Sequence, residues 1–359
     1  MRIATLRYMR TATRDNPLDA LLHPLLDGLL RWPQDGAALF LRGRDGTSLR
    51  ALRHREGECT QPFRPEAMHL ERAGLALLDE DALPEAGFKL VLVLPPRQRE
   101  EARALLAKAC RVVAPGGVVV AAVANDEGAK SREDDLKHLA GGVATLSKYH
   151  SRVFWTAPGT PFDTELVARW SRLDAPRWIE ATDVPGGGFH SRPGVFAWDR
   201  VDTASRMLAG VLPGDLRGRI ADLGAGWGYL SLQVLARCPQ LASLDVFEAD
   251  ARALSLARMN LQGARVPVGF HWHDVALGVD SQFDAIVCNP PFHALGRGDR
   301  PDIGRAFIAT ASAALKPGGS VWLVANRHLP YEAALGSAFA SVRTVVQQGG
   351  FKIVHAVKA

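Results

Sequence analysis

One pattern of residues occurs twice in this chain. Phe88-Lys89-Leu90-Val91-Leu92-Val93-Leu94-Pro95-Pro96 aligns with Phe283-Asp284-Ala285-Ile286-Val287-Cys288-Asn289-Pro290-Pro291 at a constant offset of 195 residues. Downstream, Ala114-Pro115-Gly116-Gly117-Val118 matches Lys316-Pro317-Gly318-Gly319-Ser320, and Val123-Ala124-Asn125 matches Val324-Ala325-Asn326. An apolar strand ending in Pro-Pro, then a Pro-Gly-Gly turn and a second strand, twice over, constrains the chain to a duplicated fold whose copies differ in loop length. A length of 359 residues also exceeds one ordinary core. We place the boundary near residue 185, giving domains 1–185 and 186–359. The stretch Thr156 to Asp199, with its Pro185-Gly186-Gly187-Gly188 run, suits a linker or a loop over the second domain's site.

The second half alternates strand and helix patterns. Arg219 to Asp222 reads as a strand entering the turn Asp222-Leu223-Gly224-Ala225-Gly226-Trp227-Gly228, and Tyr229 to Ala236 as an amphipathic helix. Leu244 to Glu248, Val268 to Trp272 and Asp284 to Cys288 are further strands, with a helix over Ala251 to Asn260. A helix near Gly304 to Leu315, the turn Lys316 to Gly319 and a strand from Ser320 to Val324 complete the pattern. Strands separated by helices imply right-handed crossovers and a mostly parallel α/β sheet.

In such sheets ligands bind at the carboxyl ends of the strands, and that is where the chemistry-bearing residues fall. A glycine turn after the first strand admits a ligand to the backbone at a helix N-terminus. Its spacing here, G-A-G-W-G, is not the dinucleotide pattern, because the third glycine comes one residue early. Glu248, ending the second strand, can hold both ribose hydroxyls of a nucleoside. Asp245 falls within that strand, and Asp250 reads as a cap of the next helix. Asp274 reads equally as an acceptor for an adenine amine or as a helix cap. Asn289-Pro290-Pro291-Phe292 carries the most information. The amide of Asn289 can accept a bond from a planar amine and donate one elsewhere. The prolines fix the backbone, and Phe292 offers a face for a base to stack on. The set makes a clamp for an sp² amine. His293 follows the clamp and reads as a substrate contact or a polar loop residue. His271 and His273 lie on one strand face without a third ligand, so no metal is expected.

The first copy lacks these groups. Leu94 stands where the second copy has Asn289, and Arg97 where it has Phe292. Its glycine-bearing candidate turn, Leu41-Arg42-Gly43-Arg44-Asp45-Gly46, has neither the strand-end acid nor the close glycines.

Composition narrows the class. With 47% hydrophobic and 23% charged residues the chain reads as globular, and no run approaches a membrane span. The N-terminal residues have no apolar signal-peptide core. Cys59, Cys110, Cys238 and Cys288 form no CxxC pair, so free thiols in a reducing cytoplasm are expected. A formal charge of +5, dominated by arginine, favours an anionic partner but assigns none alone.

Together these residues resemble the class I S-adenosylmethionine-dependent methyltransferases. More narrowly they resemble the ribosomal RNA guanine-N2 methyltransferases of the RsmC/RlmG type, which consist of two tandem methyltransferase-like domains. The resemblance rests on Pro193-Gly194-Val195-Phe196, the turn Asp222 to Gly228, Asn289-Pro290-Pro291-Phe292-His293, Val324-Ala325-Asn326-Arg327-His328-Leu329-Pro330-Tyr331 and Phe351-Lys352-Ile353-Val354. It covers residues 190–359 closely and 1–180 in outline. It implies two Rossmann-like α/β domains, the N-terminal one degenerate and serving folding and RNA binding. It implies that Asp222, Gly224, Gly226 and Gly228 hold the methionine part of S-adenosylmethionine, with Ala225 and Asn289 also in the cofactor site. Glu248 would take the ribose and Asp274 the adenine. Asn289 and the Pro290 carbonyl would hold the guanine amine beside Pro291 and the stacking Phe292, and His293, Arg297 and Arg327 would meet substrate. The stretch Ala294 to Arg300 departs from the family's usual acidic-glycine turn, and its arginines suit phosphate. The implied partner is ribosomal RNA or a ribosomal subunit, the small-subunit 16S RNA first, for a cytoplasmic monomer without metal or membrane. Two rivals remain: a methyltransferase for a protein glutamine or an adenine, and a non-catalytic RNA-binding assembly factor.

Overall fold

A computed structural model describes residues 15–52, 57–291, 301–328 and 331–359. The chain divides into two compact units, one running to Gln61 and from Glu66 to Leu173, the other comprising Pro62–Pro65 and Asp174–Ala359. This division falls before the expected boundary near residue 185, because the hairpin after Asp174 belongs to the second core. Phe189 of that hairpin stacks on Trp227 with ring centroids 3.7 Å apart. The short segment Pro62–Pro65, early in the sequence, also belongs to the second unit.

In the first unit the strands are β1 (Ala38–Leu41), β2 (Glu58–Thr60), β3 (Ala76–Leu77), β4 (Phe88–Val93), β5 (Val113–Ala124), β6 (Ala144–Lys148) and β7 (Ser151–Trp155). A separate hairpin, β8 (Arg177–Glu180) and β9 (Gly188–Ser191), opens the second. Then come β10 (Gly218–Leu223), β11 (Leu241–Glu248), β12 (Val268–Trp272), β13 (Phe283–Cys288), β14 (Leu315–Asn326), β15 (Ser341–Gln348) and β16 (Phe351–Val357).

The two seven-stranded sheets have one topology. Their orders are β3-β2-β1-β4-β5-β7-β6 and β12-β11-β10-β13-β14-β16-β15, the first five strands parallel and the last hairpin antiparallel. Each domain is a Rossmann-like α/β sheet. The repeat extends to irregularities: the β4–β5 register shifts between Phe88 and Leu90, and the β13–β14 register shifts between Phe283 and Ala285. The Pro-Gly-Gly runs expected as turns lie at these shifts, inside β5 and β14. Glycine is required there because backbones come close: a Cβ on Gly117 would sit 2.8 Å from the Lys89 carbonyl, and on Gly319 3.1 Å from that of Asp284.

The central strands are apolar throughout because both their faces are covered. Along β13, Ala285 and Val287 enter one core with Ile220 and Leu244, while Ile286 and Cys288 enter the opposite core with Phe307 and Leu323. The helix Ala251–Asn260 and strand β12 have the bounds read from sequence; β11 and β14 are longer.

Candidate active site

The site lies at the carboxyl edge of the second sheet. Strand β10 ends at Leu223, and the glycine turn delivers the chain to the helix Tyr229–Arg237, whose N-cap is Gly228. Gly224 has φ +75, and a Cβ there would come within 3.2 Å of the Phe307 ring and 3.9 Å of the Asn289 carbonyl oxygen. The turn therefore passes directly beside the Pro-Pro segment. The N–H groups of Gly224 and Ala225 both donate to the Phe247 carbonyl, at 2.8 and 3.1 Å, tying the turn to β11.

Asp222 is fully buried beneath the turn. Its Oδ2 accepts from the backbone N–H and the hydroxyl of Ser231, at 3.1 and 2.7 Å. Among the described residues its Oδ1 has no hydrogen-bond partner. Burial pushes this carboxyl up to about 7, Ser231 opposes the shift, and the nearby charge of Glu248 adds to it.

Glu248 ends β11 as expected. Its Oε2 accepts from Gly226 N–H at 2.7 Å and its Oε1 from Asp250 N–H at 2.8 Å. Burial pushes it up to about 7 against those backbone bonds. Each oxygen keeps acceptor capacity, since a carboxylate offers about four lone-pair sites. Asp250 caps the helix Ala251–Asn260 through Arg252 N–H, and Asp245 inside β11 pairs with Arg219 and His271.

Asp274 follows β12 at the same edge. Its Oδ1 accepts from Ala276 N–H at 3.0 Å, capping the short turn Val275–Leu277. The histidines flank Phe247, His271 stacked with centroids 4.4 Å apart and His273 edge-on at 6.0 Å. His271 bonds Asp245 and His273 bonds the Gly278 carbonyl. Among the described residues no cluster of ligand-type side chains could hold a metal ion.

Asn289 directly follows β13 and is half-buried, with Pro290 buried and Pro291 exposed. Its Nδ2 donates to Asp202 Oδ2 at 3.1 Å and to Ser205 Oγ at 2.8 Å. Arg327 is exposed just beyond β14, its backbone N–H bonded to the Gly350 carbonyl. Phe292, His293 and Arg297 lie outside the described residues.

Sequence reasoning missed several supporting residues. Ser231 holds Asp222. Asn260 bonds both backbone groups of His190 and the Trp227 carbonyl, joining the β8–β9 hairpin to the glycine turn. Asp202 and Ser205 hold Asn289, and their spacing at the start of the helix Thr203–Val211 was a readable capping signal. Asn260 gave none; it reads as an ordinary helix end.

Strand register extends the comparison of the two copies to four of these positions. Leu41 pairs with Val93 and Leu223 with Cys288, so Phe40 stands at the place of Asp222 and Arg42 at that of Gly224. Gln61 likewise corresponds to Glu248 and Leu94 to Asn289. In the first copy Arg42 bonds Glu80 at 2.9 Å and the buried Glu101 at 3.0 Å, and Lys108 bonds Glu80 at 3.0 Å. Against the upward pull of burial, Arg42 and Lys108 hold Glu80 well below the usual carboxylate range. An ion-pair network stands where the second copy opens its glycine turn.

Residues 186–355 match the model of the methyltransferase small domain. The small subunit ribosomal RNA methyltransferase C of Psychromonas ingrahamii is 28% identical over 274 residues, covering 76% of this chain and 77% of that relative. Its namesake from Shewanella amazonensis is 28% identical over 74% of this chain and 76% of its own length. The solved structure of the T. thermophilus 16S rRNA N2 methyltransferase RsmC, in complex with AdoMet and guanosine, superposes with a TM-score of 0.79 at 26% identity, covering 97% of this chain and 93% of that one. The sheet order recurs in both copies, and with the glycine turn and strand-end acid of the second it is that of a class I methyltransferase. Within that class the chain is similar to enzymes of the RsmC type.

Proposed function

We propose that this protein transfers a methyl group from S-adenosylmethionine to the exocyclic N2 amine of a guanine in small-subunit 16S ribosomal RNA. The observation that carries the reading is the contrast between register-equivalent positions. Asp222, Gly224, Glu248 and Asn289 stand together in the second domain where the first holds Phe40, Arg42, Gln61 and Leu94. The related T. thermophilus enzyme with AdoMet and guanosine supplies the substrate class. The same contrast counts against a non-catalytic assembly factor, and the duplicated first half against a glutamine or adenine methyltransferase.

The residues present fit the cofactor. Asp222 carries a buried carboxylate oxygen without a partner among the described residues, suited to a cation. Among the described residues, none beyond its chain neighbours comes within 4 Å of where a Cβ on Gly226 would be, so the turn leaves space beside its backbone. Asp222, Gly224, Ala225, Gly226 and Gly228 would bind the methionine part, Glu248 the ribose through its remaining lone pairs, and Asp274 the adenine amine through the oxygen not used in capping.

Bound S-adenosylmethionine would supply an electrophilic methyl group on a sulfonium whose sulfur leaves as a neutral thioether. The protein's task is to position an in-line attack and to sharpen a weak nucleophile. The lone pair of an exocyclic amine is delocalised into the purine. Asn289 Oδ1 and the Pro290 carbonyl would accept hydrogen bonds from the two amine N–H groups, draw the nitrogen toward tetrahedral geometry and localise that pair. Pro291 stiffens the segment, Phe292 would stack on the base, and His293, Arg297 and Arg327 would contact the RNA. The amine proton leaves after transfer, so no strong base is required. The base must leave its stack, at a cost of a few kcal/mol, which favours unpaired RNA. The first domain serves folding and RNA binding, and the enzyme acts as a cytoplasmic monomer.

The test is transfer of labelled methyl to naked ribosomal RNA, isolated subunits and protein extract, followed by nucleoside analysis. Label in N2-methylguanosine from the small subunit is expected. Label in protein overturns the substrate, and no label with RNA binding intact overturns the enzyme.

A further inference from the structure

An asparagine clamp works in only one orientation. The two ends of a side-chain amide have nearly the same shape, yet one accepts and the other donates. If the NH₂ end faced the target amine, two donors would meet and the lone pair would not be localised. Something must therefore hold Asn289 with its oxygen toward the acceptor side.

Two residues outside the Asn-Pro-Pro-Phe motif do this. Asp202 and Ser205 begin the helix Thr203–Val211, and Asp202 Oδ2 accepts from Ser205 N–H at 2.8 Å. The same oxygen accepts from Asn289 Nδ2 at 3.1 Å, and Ser205 Oγ accepts from it at 2.8 Å. Both amide protons are thereby used. Among the described residues Oδ1 accepts no hydrogen bond from the protein. The carboxylate makes the choice, because it has no proton to give and repels the oxygen of a flipped amide. Ser205 alone could not choose, since a hydroxyl can donate or accept. Donation to a carboxylate also polarises the amide, leaving its oxygen a stronger acceptor.

We propose that Asp202 and Ser205 are positioning residues for methyl transfer, which orient and polarise the Asn289 amide so that its oxygen draws on the substrate amine. The proposal rests on the reading of this site as an exocyclic-amine methyltransferase. The effect falls on kcat, because the amine–amide bond strengthens as the nitrogen leaves planarity.

The experiment compares Asp202→Gly, Asn289→Asp and the double variant on ribosomal RNA. Glycine is tolerated at a helix start, so Asp202→Gly keeps the helix while removing the acceptor that chooses between amide orientations. Its kcat should fall about tenfold or more, the scale of one charge-assisted hydrogen bond, with RNA KM and cofactor Kd within a few-fold. Asn289→Asp sets two carboxylates face to face and should fall further. The double variant removes that repulsion and leaves at 289 a carboxylate whose two oxygens are alike, so no orientation has to be chosen, and its kcat should exceed the product of the two single effects by about tenfold. Multiplying effects, or an Asp202→Gly enzyme with unchanged kcat, overturns the proposal. A folding role alone would lower Tm and would not give this rescue. Nucleoside analysis of the wild-type product separately tests the underlying reading: another modified amine overturns the guanine assignment, while the rescue ratio on that product still judges Asp202 and Ser205.

Discussion

The backbone N–H of Gly226 donates to Glu248 Oε2 over 2.7 Å, so the glycine turn and the end of the neighbouring strand form one unit. The other carboxylate oxygen accepts from Asp250 N–H, which fixes the start of the next helix. Glu248 thus shapes the turn while keeping lone pairs for a ligand. Glu248→Ala is expected to weaken S-adenosylmethionine binding by about 10- to 100-fold, the loss of charge-assisted bonds of ~1.5–3 kcal/mol. Calorimetric titration measures this, and wild-type affinity in the variant removes Glu248 from the cofactor site.

Asn289→Ala separates binding from chemistry. In the proposed role its bond to the substrate amine would strengthen only as the nitrogen becomes tetrahedral, so transfer should fall by ~10²-fold or more. Cofactor affinity should stay within a few-fold of wild type. Single-turnover rates and cofactor titration on one preparation distinguish the two, and a variant that fails to bind cofactor contradicts the assignment.

Asp222 and Glu248 give the site a definite pH dependence. Both carboxyls are pushed up to about 7 in the folded, ligand-free protein, first by burial. Their contribution to stability is fully present below their ordinary values of 3.8 and 4.5 and is lost as pH rises through about 7. A cation and hydroxyl donors favour the ionised forms, so cofactor binding should tighten as pH rises from 6 to 8. The gain should be up to about tenfold per pH unit for each carboxylate below its folded value. Glu80 in the first domain runs the other way: Arg42 and Lys108 depress it, so its contribution holds above its ordinary value of 4.5 and is lost in acid. Hydrogen exchange at pH 6 and 8 should show the helix Tyr229–Arg237 less protected at the higher pH without cofactor. Flat cofactor affinity over this range contradicts the involvement of both carboxylates.

Trp272 fastens the segment Pro62–Pro65 within the second unit. Its indole N–H lies 2.8 Å from the Pro62 carbonyl and 2.9 Å from that of Ala249, beside Glu248. Arg64 N–H also donates to the Ala249 carbonyl, and the Arg64 guanidinium lies over the Trp272 ring. Trp272→Phe keeps a ring and removes the donor. It should destabilise the second unit by about 1–2 kcal/mol and weaken cofactor binding by loosening the Glu248 turn. Chemical denaturation with and without cofactor checks both, and an unchanged midpoint contradicts the first.

Much of the fold was legible because periodicity and punctuation are local. The repeat at a fixed offset named the duplication. Apolar runs bounded by Gly and Pro placed β10 to β14, and β11 begins at Leu241, three residues before the expected Leu244, the usual uncertainty at a strand's beginning. The closing β15–β16 hairpin escaped notice because six of the eight residues of β15 are exposed and most of those are polar, without the apolar signal of a buried strand. The site was legible where one residue type at one strand end suffices, as for Glu248 and Asn289. It was not where the partner is distant: nothing local links Asp202 to Asn289, Asn260 to Trp227 or Pro62 to Trp272.

The sequence by itself determined the alternation of strand and helix, the duplication, and which copy kept carboxylates, glycines and the Asn-Pro-Pro-Phe run, because these follow from side-chain type and spacing along the chain. Only the tertiary structure decided the strand register that sets Arg42 at the place of Gly224. It also decided the burial that raises Asp222 and Glu248, and the crossing that brings the Asp202 helix cap against Asn289. Those properties depend on which distant segments share a low-dielectric interior, and that proximity is created by folding.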